Sequence, residues 1–210
     1  MLKKLAILVI AGMAALVALT SVARADDGYR VLSQPVQHDT HGKILVQEIF
    51  WYGCPHCYAL EPSFEKWRAQ QPKDVEVSLL PATLGKTWTE HARAYYAAVD
   101  LGIINKTHDA FFNAIQRGGQ TLVAPNDIAN FYSHYGVTKK QVLDTLSSFG
   151  LSNQINQAHS EVLGYQVLGT PTIVVDGKYV IDPQSAGGLE NMLNVTDHVI
   201  SMVRAQHKHS

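Results

Sequence analysis

Apolar residues recur with different periods along the chain, and each change of period marks an element. Residues 44–50, ILVQEIF, are a mostly apolar run of strand-forming residues. Trp51, Tyr52 and Gly53 follow as a turn. From His56 onward the period becomes helical, with Leu60, Phe64 and Trp67 at i, i+4 and i+7 on one face. Pro62 inside that stretch predicts a kink. Residues 75–80, VEVSLL, read as a second strand. No strand pattern then returns until after residue 165. The intervening region holds five stretches of helical spacing or length, at 90–102, 107–116, 125–136, 138–150 and 153–165. Several end at glycine or begin near Ser, Thr, Asn or Asp. Ala94, Tyr95, Ala98 and Val99 make one apolar face there, and Ile128, Phe131 and Tyr135 another. Tyr96, Phe111 and Phe112 read as helix-packing residues. Residues 171–182, PTIVVDGKYVID, place two β-rich runs around Asp176-Gly177, a strong hairpin signal. A last helix is expected over 188–204. The order is strand, helix, strand, helical block, hairpin, helix, an α/β arrangement.

The N-terminus carries a separate message. Lys3 and Lys4 precede an apolar run from Leu5 to Leu19, and Ala23-Arg24-Ala25 closes the segment as an A-x-A cleavage signature. A basic start, an apolar core and a small-residue exit define a secretory signal peptide over residues 1–25. The run is short for a membrane span, which needs about 20 apolar residues. The mature chain is expected to begin near Asp26 and to hold about 185 residues, the size of one domain or one domain with an insertion. Removing Lys3, Lys4 and Arg24 from 17 basic residues leaves 14 against 18 acidic ones, a net charge of −4 with His neutral. That balance offers no basic stripe for phosphates, so nucleic acid is not an expected partner.

Export changes the meaning of the two cysteines. Both lie in FWYGCPHCYAL, residues 50–60, as Cys54 and Cys57 with Pro55 and His56 between them. Outside the cytosol disulfides form and persist. A pair this close in sequence is a poor staple, because the stabilisation from closing a loop grows with loop length. Zinc fits no better. A structural site wants four ligands, there is no third cysteine, and His56 sits between the thiols rather than at a ligand spacing. Redox chemistry is what remains. Cys54 falls where a strand hands over to a helix, near unsatisfied N–H groups and the positive end of the helix dipole. That field stabilises a thiolate, and His56 can add a donor or a charge. Cys57, one turn further in, is expected to be more buried and less reactive.

A CxxC at a strand-to-helix turn, with Gly169-Thr170-Pro171 just before a later hairpin, resembles the thioredoxin fold. The CPHC sequence, the secretory leader and the helical block before the hairpin resemble the DsbA family of periplasmic thiol–disulfide oxidoreductases. The likeness spans essentially the whole mature chain. It implies a thioredoxin-like domain over 26–86 and 165–210, with an inserted helical domain over 87–164. It also implies a Cys54–Cys57 disulfide, with Cys54 the exposed nucleophile that forms mixed disulfides and Cys57 the resolving partner. Pro55 and His56 would tune the thiolate. Pro171 matches the family's cis-proline facing the CxxC, and Thr170 before it would offer backbone hydrogen bonds to an extended substrate. Glu48, six residues before Cys54, matches a buried acid beneath the site that can shuttle protons to Cys57. The lysine that partners this acid in the best-known members has no clear match among Lys73, Asp74 and Glu76.

The implied activity is a monomeric dithiol oxidase without a cofactor or metal. It would act in the periplasm on reduced, newly exported proteins and be reoxidised by a DsbB-type inner-membrane quinone reductase. A disulfide isomerase or reductase is the alternative within the same chemistry. The dimeric isomerases need an N-terminal module, and only about 18 residues precede the first expected strand. A redox-inert chaperone that uses the same groove is the alternative outside it. Strand alternation alone would also allow Glu48 to face solvent. Trp51, Tyr52 and Trp88 fit a substrate groove or the core equally well. His207 and His209 near the C-terminus read as a frayed end rather than a metal motif.

Overall fold

The computed structural model describes residues 27–208. The predicted signal peptide and His209 lie outside them. Five strands form one sheet: β1 Arg30–Val31, β2 Ile44–Phe50, β3 Val75–Pro81, β4 Thr172–Val175 and β5 Tyr179–Ile181. Their spatial order is β1-β5-β4-β2-β3, with β2 and β3 parallel and the other pairs antiparallel. All seven residues of β2 are buried, as a central strand covered on both faces requires. The short β1 was not anticipated. A two-residue strand has no period to read, and it is held by its pairing with Val180 and Tyr179.

The helices are α1 Pro55–Arg68, α2 Lys86–Asp100, α3 Ile104–Gln116, α4 Pro125–Tyr132, α5 Lys139–Leu146, α6 Phe149–Gly164, α7 Pro183–Ala186 and α8 Met192–His207. α1 runs through Pro62, so the expected kink does not end it. The stretch expected at 138–150 is divided differently: α5 stops at Leu146, and Ser148 caps a new helix whose first residues are Phe149 and Gly150. A serine N-cap accepting the Leu151 N–H outweighs the terminating reading of Gly150. The last helix starts later and runs further than 188–204, behind a 3₁₀ turn at Leu189–Asn191. His207 closes it against Asp176 at 3.4 Å. Val99, assigned to an apolar face, is instead 40% exposed, while Ala94 and Ala98 are buried.

Three apolar clusters hold these layers together. Leu60, Phe64 and Trp67 of α1 pack with Ile44, Val46, Ile173 and the Val199–Val203 face of α8 on one side of the sheet. Ala158, Val162 and Tyr165 at the end of α6 cover Ile49, Val174 and Val180 on the other. The third cluster joins Phe50, Tyr52, Cys54 and Cys57 to Phe111, Phe112, Ile128 and Tyr132 of the helical block. The cysteines therefore sit at the seam between the sheet and the helices α2–α6.

The Asp176-Gly177 turn between β4 and β5 has φ +54 and +62, the two positive angles a type I′ turn needs, and is closed by the Lys178 N–H on the Val175 carbonyl. The Gly177 carbonyl also accepts the Val36 N–H at 2.9 Å, tying the N-terminal segment to the hairpin. A Cβ on Gly177 would be driven into the Val36 carbonyl. Gly177→Ala should therefore destabilise the protein by about 1–3 kcal/mol, from the left-handed backbone and overpacking together. Equilibrium denaturation would measure it, and an unchanged midpoint would show that this turn relaxes freely.

Candidate active site

The site is built on the first turn of α1. Cys54 is the N-cap residue, with extended backbone angles, and its sulfur accepts the Cys57 N–H at 3.4 Å. Its carbonyl accepts the Tyr58 N–H at 3.1 Å. Pro55 occupies the next position, where its fixed φ suits a helix start and its missing N–H costs nothing. No acidic residue stands in the first turn to oppose the dipole. Behind Cys54, the Trp51 indole lies over Gly53, where any Cβ would collide with it, and stacks on Trp88 with centroids 4.2 Å apart. Tyr52 belongs to the core at 1% exposed, whereas Trp51 and Trp88 are half-buried, so the aromatics divide between the two roles expected of them.

The two thiols are unequal. Cys54 is pushed down to about 5. The largest cause is the hydrogen bond from the Cys57 thiol. Thr170 and the backbone N–H groups of Cys57 and His56 act in the same direction, against the cost of burial. Cys57, fully buried, is pushed well above the ordinary thiol range by desolvation and by its neighbour. Both cysteines are free thiols, and Cys54, expected to be exposed, is itself buried at 6% exposure, because the Thr170 carbonyl covers its sulfur and Trp51 lies over the turn beside it. His56 is exposed on the open side of the turn.

Across from Cys54 runs the loop before β4. The Thr170–Pro171 peptide is cis, and the Thr170 carbonyl accepts from the Cys54 thiol at 3.2 Å. Thr170 and Pro171 begin a groove of about 300 Å³ that continues past Val167, Leu168 and Asp182. Leu168 is 94% exposed beside it. The Gly-Thr-Pro triplet is legible in the sequence, whereas the only signal for Leu168 is its place immediately before that triplet.

Beneath the cysteines lies Glu48, 0% exposed. Strand alternation puts it on the face of Ile44 and Val46, under α1. Neither carboxylate oxygen has a hydrogen-bond partner. Burial first, then the negative charge of Glu61, holds its carboxyl well above the usual range. Glu61 and His108, neither anticipated, are also buried there, 3.3 Å apart. Lys73 and Glu76 remain outside this cluster: Lys73 is exposed and Glu76 pairs with Lys43. Asp74 pairs with Arg204. Among the described residues no group of His, Cys, Asp or Glu is arranged to hold a metal ion.

A CxxC at a helix N-terminus with one acidic thiol and one held protonated, facing a cis-proline, defines a thiol–disulfide oxidoreductase of the thioredoxin type. The DSBA-like thioredoxin domain matches residues 45–194. The chain is 39% identical to the thiol:disulfide interchange protein DsbA of Pseudomonas aeruginosa strain PAO1, over 96% of this chain and 98% of that one. It is 42% identical to the protein of that name from Pseudomonas syringae pv. tomato, over 86% and 84%. The crystal structure of Pseudomonas aeruginosa DsbA superposes with a TM-score of 0.82 at 41% identity, covering 86% of this chain and 94% of that one. DsbA from Xylella fastidiosa gives 0.80 at 35%, covering 85% and 96%. The chain belongs to the DsbA family of thiol:disulfide oxidoreductases.

The unequal thiols carry a pH consequence. In the unfolded chain Cys54 keeps its proton up to about 8.5, whereas in the folded reduced protein it releases it above about 5. This depressed group stabilises the reduced fold fully above the unfolded value and ceases to do so as pH falls through 5. Thiolate absorbance should rise once near pH 5, with no second rise below about pH 9. Denaturation midpoints of the reduced protein should climb from pH 5 to 8.5 relative to Cys54→Ser. A single thiolate transition near pH 8.5 would refute the asymmetry.

Proposed function

We propose that the protein is a dithiol oxidase that donates a Cys54–Cys57 disulfide to newly exported proteins. The observation that carries this reading is the gap between Cys54, at about 5, and Cys57, held well above the thiol range. A fold that stabilises the Cys54 thiolate stabilises the reduced state, so its disulfide is readily given away. A substrate thiolate attacks Cys54 Sγ, the Cys54–Cys57 bond breaks, and Cys57 leaves and takes up a proton. A second substrate thiolate then attacks the substrate sulfur of the mixed disulfide and releases Cys54 as a stable thiolate.

In this reading Pro55 and His56 tune Cys54, and Glu48 supplies the Cys57 proton. The Thr170–Pro171 loop receives the substrate backbone. Residues 87–164 form an inserted helical domain within a thioredoxin-like domain of 26–86 and 165–210. The leader over 1–25 directs the chain to the periplasm, where it works as a monomer. A DsbB-type inner-membrane quinone reductase reoxidises it. Family membership supports these assignments, and so does the burial of Glu48 beneath the CxxC.

Cys54→Ser should abolish oxidation of a reduced dithiol peptide, and Cys57→Ser should accumulate mixed disulfides through Cys54. In glutathione buffers the wild-type disulfide should be reduced at a far more oxidising poise than a structural cystine, below about −300 mV. A disulfide as hard to reduce as that would end the oxidase reading.

A further inference from the structure

Glu48 raises a problem that the cysteines do not solve. Among the described residues its carboxyl has no hydrogen-bond partner and no ion pair, so it rests neutral. Once it gives its proton to Cys57 it becomes a buried anion, and it must be refilled from water that it does not touch. Glu61 of α1 is the charge that acts most on Glu48. It is itself 6% exposed, with neither oxygen in a well-directed hydrogen bond. His108 of α3 stands 3.3 Å from Glu61, between Nε2 and Oε1. On its other side Nδ1 meets the Tyr52 hydroxyl at 2.8 Å. Tyr52 lies in the turn that delivers Cys54, and burial holds its hydroxyl protonated. A Tyr52 O–H donating to Nδ1 leaves the ring proton on Nε2, toward Glu61.

Solvent reaches this pair. Glu61 and His108 both line a cavity of about 540 Å³ between α1, α3 and β3. Glu61 also lines a neighbouring cavity of about 590 Å³ between α1 and α3. The charged and titratable groups around His108 are Tyr52 from the turn, Glu61, Glu65 and Arg68 from α1, Asp109 from its own helix, and Tyr95 from α2, with Glu48 of β2 beyond Glu61. Phe50 and Phe112 close the remaining sides of the ring at 5.2 Å.

The geometry points to His108 as a positioning residue for thiol–disulfide exchange: clamped by Tyr52, it holds Glu61 at the floor of the α1–α3 cleft and connects buried Glu48 to the protons of bulk water. This rests on the reading that Glu48 serves Cys57. When the Cys54–Cys57 bond breaks, its electron pair stays on Cys57 Sγ, which takes the Glu48 proton. Cleft water refills Glu48 through His108 and Glu61, so one proton moves from bulk to Cys57. Reoxidation returns it by the same route.

The test uses the full chain. Oxidised protein is mixed with reduced glutathione across pH 5–8.5, and release of Cys57 is followed by tryptophan fluorescence. His108→Gln, similar in size but without a ring to relay a proton, should slow release by about 10-fold at pH 7. His108→Ala opens space onto the 540 Å³ cavity, and added imidazole should restore its rate while leaving wild type unchanged. Cys54 thiolate absorbance should titrate as in wild type in both variants. A folded His108→Gln within two-fold of wild type at every pH overturns the proposal, and so does a folded His108→Ala that imidazole does not rescue. If His108→Ala does not fold, His108→Gln decides alone. A wild-type Cys54 that titrates near 8.5 marks failure of the oxidase reading instead, because that measurement does not involve His108.

Discussion

The chemistry of this protein depends on one hydrogen-bonded position, the N-cap of α1. A helix start leaves backbone N–H groups without partners, and the usual remedy is a Ser, Thr, Asp or Asn side chain. Here a sulfur takes that place and accepts the Cys57 N–H. The cap is a better acceptor as a thiolate than as a thiol, and better as a thiol than as half of a disulfide. The helix therefore favours the reduced protein each time it satisfies its own first turn. Pro55, which gives up no needed N–H, and the absence of an acidic side chain in that turn keep the field undivided.

The second cysteine follows from the same helix read one turn later. Cys57 points inward to the seam where Phe50 and Tyr52 meet Phe111 and Phe112. No water stabilises its charge there, and the neighbouring Cys54 opposes it. A thiol held so far up is a poor leaving group unless it is protonated as the bond breaks. In the proposed mechanism the low thiol creates a need at the high one, and the carboxyl of Glu48 beneath them would meet it with a proton that burial keeps bound. The two thiols are tuned in opposite directions by a single difference, placement at the helix terminus or in the core.

Much of this was legible in the chain because it was written in local signals. ILVQEIF read as a strand, the CPHC pair marked a helix start, and Asp-Gly marked a hairpin that forms with two positive φ angles. Signals weaker than a period went unread. β1 is two residues long and exists through its partner strand. Gly150 suggested a helix end, but the Ser148 cap two residues earlier had already started the next helix. The Glu61–His108–Tyr52 chain was invisible for a different reason. Its members come from three elements and are 9 to 56 positions apart in the sequence, so only the packing of α3 on α1 brings them together.

That packing also shows what the helical block contributes to the site. Without α2 and α3, the C-terminal end of β2 would leave Phe50 and Tyr52 in water, along with Cys57 packed beside them. The block removes that water, which raises Cys57, yet it leaves a cleft along α1 where Glu61 and His108 stand. Full closure would trap a proton, and full opening would lower the acid to its ordinary value and leave nothing to donate. A buried acid can serve repeated turnovers only if its desolvation is incomplete on one side. In this protein the incomplete side is the α1–α3 face, away from the Thr170–Pro171 groove. On the proposed relay, protons and substrate would therefore approach the same pair of sulfurs from different directions.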